Sequence, residues 1–467
     1  MKKYIILILS LSFLGCSNAQ KQETQPFSKY NETIDSLMQI SFERGIYNGN
    51  VLVTRNDSIV YQKSFGYTDG SGQTELTKKS IFSPGSIAKE FVAVSIMMLI
   101  EKGDLHLDDK LSQFDLELPA WSEKVTIKHL LNFTSGIPQI DYANVKNDKG
   151  ILEGLQLLPS LLFEPGTGFN YNNNSIFLQK KIIENASKKT FQEFAKENII
   201  IPLKMTNVGF DLDYDYPNRV RCFDVHKQNT AEMPPSKGWL WVSIDDLNTW
   251  ITALHNYKLI SRESLKSLLK NQYFENQRSI LGSSDDLFET HSHGGQFYQF
   301  EAAFISEFKD DLNVLLMSNN KSKSFEIIES VHNIMKGKSF SLPKKSIYRQ
   351  IRKKCHENIE LGIQYYYDLK KSSLEIYDFE NPNELNGLGY DLLTSKKMNA
   401  SIEIFKLAVS EFPDNANLYD SLGEAYYTNK QYDLALKNYN KAVELGGTNG
   451  NAKAKIEEIK NILKSNE

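Results

Sequence analysis

The sequence predicts an α+β fold followed by an all-helical segment. Alternating apolar residues, typical of strands, occur at 48–67 and again at 295–306 and 311–318. The chain between these runs is helical and loop-rich. Strands at both ends and helices between them favour one domain, about residues 29–337, whose sheet joins its first and last segments.

The elements of this region can be predicted in order. Residues 30–45 have apolar side chains three and four apart and end in glycine, which predicts a helix. Asn56-Asp57 separates two strand-like runs and predicts a hairpin. Residues 86–102 predict a strongly apolar helix that Gly103 ends, and residues 324–337 predict another helix.

The C-terminal region, residues 380–467, contains a repeat with an offset of 34 residues. Leu388-Gly389 aligns with Leu422-Gly423, and Phe405 aligns with Tyr439. The period and the small residues resemble tetratricopeptide repeats. Two such units alone leave helix faces without packing partners. We expect the helical segments at 345–370 and 451–463 to cover these faces. Residues 338–379 are interpreted as a helical connector.

The first 16 residues predict export. Lys2 and Lys3 precede a short apolar run at 4–14, a pattern typical of a secretion signal that is too short to span a membrane. Cys16 after "FLG" resembles a bacterial lipobox, which implies cleavage before Cys16 and lipid on its sulfur; the alternative is a plain signal peptide with an incidental cysteine. Residues 17–28 suit a flexible tether. We expect a protein of the bacterial cell envelope, anchored to a membrane at the periplasmic or outer surface.

Charge and cysteine content exclude some classes of function. The formal net charge is −4 without a basic stripe, so we expect no nucleic-acid partner. Beyond Cys16 only Cys222 and Cys355 remain, far apart in the chain, and we expect no disulfide between them. No cofactor is expected.

Ser86 and Lys89 form the first candidate site. They lie at the start of the apolar helix, on one helical face. A lysine held among apolar groups loses part of its preference for the charged form and can then accept a serine proton. The alternative is that Ser86 caps the helix and Lys89 lies at the surface. Four other Ser-x-x-Lys pairs occur, so the spacing alone decides nothing: Ser267/Lys270, Ser306/Lys309, Ser318/Lys321 and Ser341/Lys344.

Two further motifs follow in order. Tyr171-x-Asn173 opens a helical run, and His293-Gly294-Gly295 lies at the start of a predicted strand. With Ser-x-x-Lys, this series resembles the penicillin-recognising serine hydrolases: class C β-lactamases, D-alanyl-D-alanine carboxypeptidases and β-lactamase-like esterases. Four phrases resemble the same family: "GDLHLDDKLSQF", "VTIKHLLNFTSGIP", "IPLKMTNVGF" and "GWLWVSIDDLNTW". Tyr142-Ala143-Asn144 also fits the second motif but does not open a helix.

The resemblance covers about residues 45–320 and implies a β-lactamase/transpeptidase-like domain, an antiparallel sheet flanked by helices. It implies that Ser86 attacks the substrate carbonyl. Lys89 and Tyr171 would share proton transfer, with Tyr171 as acid to the leaving group. Asn173 would orient Lys89 and the substrate amide.

The third motif would complete the site. The resemblance implies an oxyanion hole from the backbone N–H groups of Ser86 and Gln296. Gly294 and Gly295 would let substrate approach the strand. His293 stands where β-lactamases usually have lysine, and a neutral imidazole holds a β-lactam carboxylate less firmly. This points to an esterase or D-amino-acid peptidase acting on a small ester, a peptide or a cell-wall-derived substrate.

Other readings of these residues remain open. Phe133 replaces a histidine common in the family and is interpreted as packing. His291 and His293 could face one side of a strand, but they show no known metal-site spacing, and we expect no metal. In the alternative function the hydrolase domain is catalytically silent and the repeats bind a protein partner. In a third reading the repeats only buttress an active hydrolase.

Overall fold

The computed structural model describes residues 28–465, except 142–143, 146, 233–235, 275–276, 286–287 and 447–449. Cys16 and the predicted signal segment lie outside the described residues, as does Tyr142 of the alternative motif. Across the described ranges, no helix has both the length and the apolar character needed to cross a membrane.

The chain alternates between strands and helices up to residue 335 and is almost wholly helical beyond it. The strands are β1 (Gly49–Arg55), β2 (Ser58–Phe65), β3 (Ile81–Phe82), β4 (Val208–Phe210), β5 (Leu240–Ser243), β6 (Thr290–Phe297), β7 (Phe300–Glu307), β8 (Leu312–Ser318), β9 (Lys345–Ser346) and β10 (Tyr377–Asp378). The helices are α1 (Ser28–Glu43), α2 (Ala88–Lys102), α3 (Ile127–Leu131), α4 (Asp148–Gln156), α5 (Asn173–Ser187), α6 (Phe191–Ala195), α7 (Ile244–His255), α8 (Arg262–Leu269), α9 (Ser324–Met335), α10 (Ile347–Glu357), α11 (Ile359–Ser372), α12 (Pro382–Thr394), α13 (Met398–Glu411), α14 (Ala416–Thr428), α15 (Tyr432–Glu444) and α16 (Gly450–Ser465).

The main sheet joins the two ends of the first region, as predicted. Its order is β2-β1-β8-β7-β6, and every neighbouring pair is antiparallel. Asn56 and Asp57 both adopt positive φ angles between β1 and β2, the conformation that a tight hairpin turn requires. The α+β prediction is confirmed.

Two strand predictions need correction. The run 295–306 is two strands, because the chain turns at Tyr298-Gln299, and His293 lies inside β6 rather than at its start. The helical middle also contains a second, three-stranded sheet with the order β3-β5-β4. Short strands of two to four residues carry too little periodicity to be recognised from sequence.

Helices cover both faces of the main sheet. Successive residues of β1 point to opposite faces, so Val51 and Val53 pack with α1 and α9. Leu52 points the other way, into a larger core that contains α2, α5 and α7. Because α2 is buried on nearly all sides, its sequence is apolar all round. Gly103 ends α2 in the left-handed conformation, as predicted.

The C-terminal region consists of helical pairs. Gly389 of α12 lies against the Phe405 ring of α13, and Gly423 of α14 lies against the Tyr439 ring of α15. The residues that align in sequence therefore make equivalent contacts in the two repeat units. The helices α10 and α11 pack on the first unit and α16 packs on the second. The expectation that flanking helices supply the missing packing faces is confirmed.

The two remaining cysteines lie in different regions of the fold. Cys222 lies between β4 and β5, and Cys355 lies in α10. Both thiols are buried and free in the described structure. Burial raises the pKa of each thiol to about 11, so both behave as inert core residues.

Candidate active site

Three predicted side chains meet at Ser86. The Nζ atom of Lys89 lies 3.1 Å from Ser86 Oγ, and the hydroxyl of Tyr171 lies 3.0 Å from the same oxygen. Lys89 Nζ also lies 5.1 Å from the centre of the Tyr171 ring. One serine oxygen therefore has an amine and a phenol within hydrogen-bond distance, although Tyr171 is 85 residues away in the chain.

The local backbone explains why Ser86 is presented in this way. Residues Gly85–Ile87 form a 3-10 turn directly before α2, and the side chain of Ser86 caps neither element. Lys89 is buried, with 6% of its surface exposed. The alternative of a capping serine beside a surface lysine is thereby excluded.

Tyr171 is held by its own neighbours. The ring of Phe133 is fully buried and packs 4.6 Å, centre to centre, from the Tyr171 ring. The interpretation of Phe133 as a packing residue is confirmed. Next to Tyr171, Asn172 caps α5 by accepting from the backbone N–H of Ser175 at 2.7 Å. The cap fixes the chain direction where Tyr171 leaves the loop.

Asn173 occupies the first position of α5, two residues after Tyr171. Its backbone N–H donates to the side-chain oxygen of Gln139 at 2.8 Å. This bond ties the start of α5 to the loop before it. The predicted role of Asn173 in orienting Lys89 and the substrate stays a prediction.

Strand β6 passes very close to the 3-10 turn. A Cβ atom on Gly85 would lie 2.4 Å from the backbone nitrogen of Gln296, and one on Gly295 would lie 2.6 Å from the backbone nitrogen of Ser86. Only glycine fits at either position, and Gly85 also has a φ of +56°. The amide groups of Ser86 and Gln296 are therefore brought to the same place.

The register of β6 shows where its amide groups point. Ser292 exchanges backbone hydrogen bonds with Ser283, outside the sheet, at 2.8 and 2.9 Å. In an antiparallel ladder every second residue points its N–H and C=O away from the partner strand. Gly294 and Gln296 share the parity of Ser292, and β6 is an edge strand, so their backbone groups face the open side.

His293 points into the protein rather than out of it. Its Nδ1 lies 2.7 Å from Oε1 of Glu90, a fully buried carboxylate of α2. Trp250 Nε1 donates to the other carboxylate oxygen at 2.9 Å. Burial opposes ionisation of Glu90, but His291 and His293 outweigh it and lower its pKa to about 2.

The histidine itself is uncharged near neutral pH. Burial lowers the pKa of His293 below its usual value, although the Glu90 carboxylate opposes this shift. His291 faces the same side of β6, as the sequence suggested, and its Nε2 lies 3.3 Å from Glu90 Oε1. Glu90 directly follows Lys89, but its partners Trp250 and His293 are 160 and 203 residues away in the chain, so no local pattern identifies it.

The site opens into a cleft of about 920 Å³. Ser86, His293, Gly294 and Gln296 line it, so the third motif and the nucleophile share one cavity. Arg278 also lines the cleft and lies 5.6 Å from the centre of the Tyr171 ring. Arg278 stands in a loop without a motif, and sequence analysis missed it.

Comparison with known proteins identifies the family. The model of the Beta-lactamase family matches residues 30–297, more than half of the chain. The chain belongs to this family. It is 27% identical to "Penicillin-binding protein 4*" of Bacillus subtilis over 67% of this chain and 77% of that protein. It is 23% identical to "Protein flp" of Staphylococcus aureus and spans 63% of the length of that protein.

Solved structures show the same fold. The octameric penicillin-binding protein homologue from Pyrococcus abyssi superposes with a TM-score of 0.58 at 23% identity, over 66% of this chain and 78% of that one. A class C beta-lactamase superposes with a TM-score of 0.57 at 17% identity, over 66% of this chain and 98% of that one. The predicted β-lactamase-like domain followed by a helical segment is thus confirmed.

Proposed function

We propose that this protein is a serine hydrolase that cleaves an ester or amide through an acyl-enzyme on Ser86. The convergence of Lys89 Nζ and the Tyr171 hydroxyl on Ser86 Oγ, at 3.1 and 3.0 Å, carries the proposal. A nucleophilic serine needs a neighbouring base and a group that returns the proton to the leaving group. Lys89 and Tyr171 supply both at one oxygen.

The reaction proceeds in two halves. The Lys89 amine takes the Ser86 proton as Oγ bonds to the substrate carbonyl carbon, and the carbonyl electron pair moves to its oxygen. That oxygen faces the N–H groups of Ser86 and Gln296, which stabilise its charge. The C–O or C–N bond then breaks and the leaving group takes a proton through Tyr171. In the second half, water gives a proton to the Lys89 amine as its oxygen bonds to the acyl carbon. The bond from that carbon to Ser86 Oγ then breaks, Oγ regains the proton, and the acid is released.

The open edge of β6 supports a peptide-like acyl group. The backbone groups of Gly294 and Gln296 face the cleft side, and an extended substrate backbone can pair with such an edge. His293, neutral and bonded to Glu90, offers no fixed positive charge for a β-lactam carboxylate. Esterase or D-amino-acid peptidase activity on cell-wall-derived substrates is therefore favoured over β-lactam hydrolysis.

Location in the bacterial cell envelope belongs to the same proposal. It rests on the apolar run at 4–14 and on Cys16, which lie outside the described residues. Cys16→Ser should release the protein from the membrane fraction if the sulfur carries lipid. The same distribution for both forms would contradict lipidation.

Turnover of p-nitrophenyl butyrate by the chain without residues 1–16 tests the proposed reaction. We expect hydrolysis by the native chain and loss of it in Ser86→Ala. Ser267→Ala is the matched control, because Ser267 belongs to another Ser-x-x-Lys pair. Equal turnover by Ser86→Ala would overturn the assignment. Absence of turnover and of any covalent labelling in the native chain would favour a silent domain that acts through its repeats.

A further inference from the structure

A chain of three histidines, two buried and one half-buried, lies behind the candidate site, and its hydrogen bonds determine where the protons are. His291 Nε2 lies 2.8 Å from the carbonyl oxygen of Leu281. A carbonyl oxygen only accepts, so this nitrogen carries a proton. The question is then whether the second nitrogen of His291 carries one as well.

His255, at the end of α7, answers that question. Its Nδ1 lies 2.9 Å from Ser306 Oγ, and the Ser306 hydroxyl donates to the side-chain oxygen of Asn313. Ser306 therefore accepts from His255 Nδ1. Burial lowers the pKa of His255 well below its usual value, so this is its only proton. Nε2 of His255 is left as an acceptor.

His291 consequently carries protons on both nitrogens. Its Nδ1 lies 3.3 Å from the acceptor Nε2 of His255, and its Nε2 is already a donor. The imidazolium lies 3.3 Å from Glu90 Oε1. A buried carboxylate next to a buried imidazolium is compensated, whereas either alone would be strongly destabilised. Glu90 is thus held as an anion.

An anionic Glu90 fixes the proton of His293. A carboxylate only accepts, so the 2.7 Å contact requires a proton on His293 Nδ1. Nε2 is left without a proton in the neutral ring. In the described structure Nε2 has no hydrogen-bond partner, and His293 lines the cleft beside Ser86.

We propose that Glu90 is a positioning residue that, together with His291, locks His293 in the Nδ1-protonated form and presents Nε2 to the cleft as a hydrogen-bond acceptor. The inference rests on the proposed hydrolase function and deepens it by naming a substrate feature. Substrates that place an N–H or O–H donor next to His293 Nε2 are selected, and substrates that place a carboxylate there are disfavoured.

The charged groups around His293 agree with this assignment. From α2 it faces Glu90 and Lys89, and from β6 it faces His291. The neighbouring ring of Phe304 on β7 adds no charge. Lys89 and His291 both oppose a further positive charge on His293, which keeps the ring neutral.

Nitrogen NMR of the full-length chain, labelled with ¹⁵N only in histidine, tests the proton positions directly. The chain has eight histidines, and His293→Gln assigns the resonances of interest. At pH 7 we expect one proton on His293, at Nδ1. A proton on His293 Nε2 would overturn the proposal. This result does not depend on whether the protein is catalytically active.

Selectivity tests the consequence. We expect the native chain to hydrolyse p-nitrophenyl butyrate faster, by kcat/KM, than the p-nitrophenyl monoester of glutaric acid, which carries a carboxylate. Glu90→Gln should reduce this preference and bring the kcat/KM values of the two esters closer together. Asp246→Asn, which neutralises another buried carboxylate, is the control and should keep the native preference.

The outcomes separate the two proposals. An unchanged preference in Glu90→Gln, with the native ¹⁵N pattern of His293 retained, would overturn the positioning role. If a fluorophosphonate does not label Ser86 in the native chain, the hydrolase function is overturned. The proton positions of His293 are tested separately by the ¹⁵N measurement and are not affected by that result. A Glu90→Gln chain that does not fold leaves the ¹⁵N measurement on the native chain as the deciding one.

Discussion

At the scale of single residues, Ser86 differs from other serines that precede a lysine by three residues in the surroundings of its hydroxyl oxygen. Ser306 also precedes a lysine by three residues, but its hydroxyl is buried and donates to Asn313. Ser318 is likewise buried, with its hydroxyl beside that of Ser324. Ser86 alone of these three opens into the cleft.

Lys89→Met should slow the acylation of Ser86 by about a hundredfold or more, because the group that accepts the serine proton is removed. Covalent labelling by a fluorophosphonate, followed over time, measures this. Lys102→Met is the control, since Lys102 lies in the last turn of the same helix with an exposed side chain. Equal rates in Lys89→Met and the native chain would argue against a base at this position.

Sequence patterns identify only part of the site. Ser86, Lys89 and Tyr171 stand in motifs with local context, so the sequence alone identifies them. Glu90 contacts His293, which is 203 residues away in the chain, and His255 contacts His291, which is 36 residues away. Such contacts depend on how elements pack, which no local pattern encodes.

At the scale of elements, the close approach of β6 and the 3-10 turn is the feature on which the proposed oxyanion hole depends. Gly295→Ala would place a methyl group 2.0 Å from the carbonyl oxygen of Pro84 and force the strand away. We expect turnover to fall roughly a hundredfold or more, the cost of losing one oxyanion donor.

The matched control for that prediction is Gly154→Ala. Gly154 lies in α4, where an added Cβ meets no atom within 4 Å. Steady-state hydrolysis of p-nitrophenyl butyrate compares the variants, and circular dichroism checks that both fold. Native turnover in Gly295→Ala would show that the strand is not part of the hole.

Helix α5 carries a buried lysine that makes stability depend on pH. Lys180 donates to Ser236 Oγ at 2.6 Å and to the carbonyl of Lys237, and burial lowers its pKa to about 8. The pKa in the unfolded chain is near 10.5. The unfolded chain therefore binds more protons between these values, and stability contributed by this group rises as pH increases from 8 to 10.5.

Urea unfolding of the native chain and of Lys180→Met at pH 7.5 and pH 10.5 measures this effect. We expect the free energy of unfolding of the native chain, relative to the variant, to rise by roughly 3 kcal/mol over this range. Tyrosines and other lysines titrate alike in both chains and cancel in the comparison. A constant difference would show that Lys180 keeps an ordinary pKa when folded.

Turn chemistry explains which elements were predicted well. Asn56-Asp57 adopts positive φ at both positions, a conformation these residue types tolerate, and the hairpin was predicted. Tyr298-Gln299 makes an equally short turn with a positive φ at Tyr298, but neither residue type signals a turn. The sequence therefore predicts one strand where the structure has β6 and β7.

At the scale of the whole molecule, the helical region has a core of its own. Its two apolar clusters contain residues from α10 onward and none from the first region. Polar contacts join the regions, such as Arg44 to the carbonyl oxygen of Pro343 at 2.7 Å and Lys323 to Asp378 at 2.9 Å. Polar contacts of this kind couple two cores weakly.

Ile404→Ala should therefore unfold the helical region at a lower temperature without lowering the transition of the hydrolase region. Ile404 is fully buried in α13, and truncating such a side chain costs about 2–5 kcal/mol. Scanning calorimetry resolves the two transitions, and the rate of Ser86 labelling reports on the first region. A joint shift of both transitions would show that the repeats buttress the hydrolase fold.

Mass spectrometry of the chain without residues 1–16, after incubation with a fluorophosphonate, tests the central claim most directly. The account predicts one adduct on the peptide that contains Ser86, and none on that peptide in Ser86→Ala. A folded native chain without an adduct, or an adduct that persists in Ser86→Ala, would contradict it.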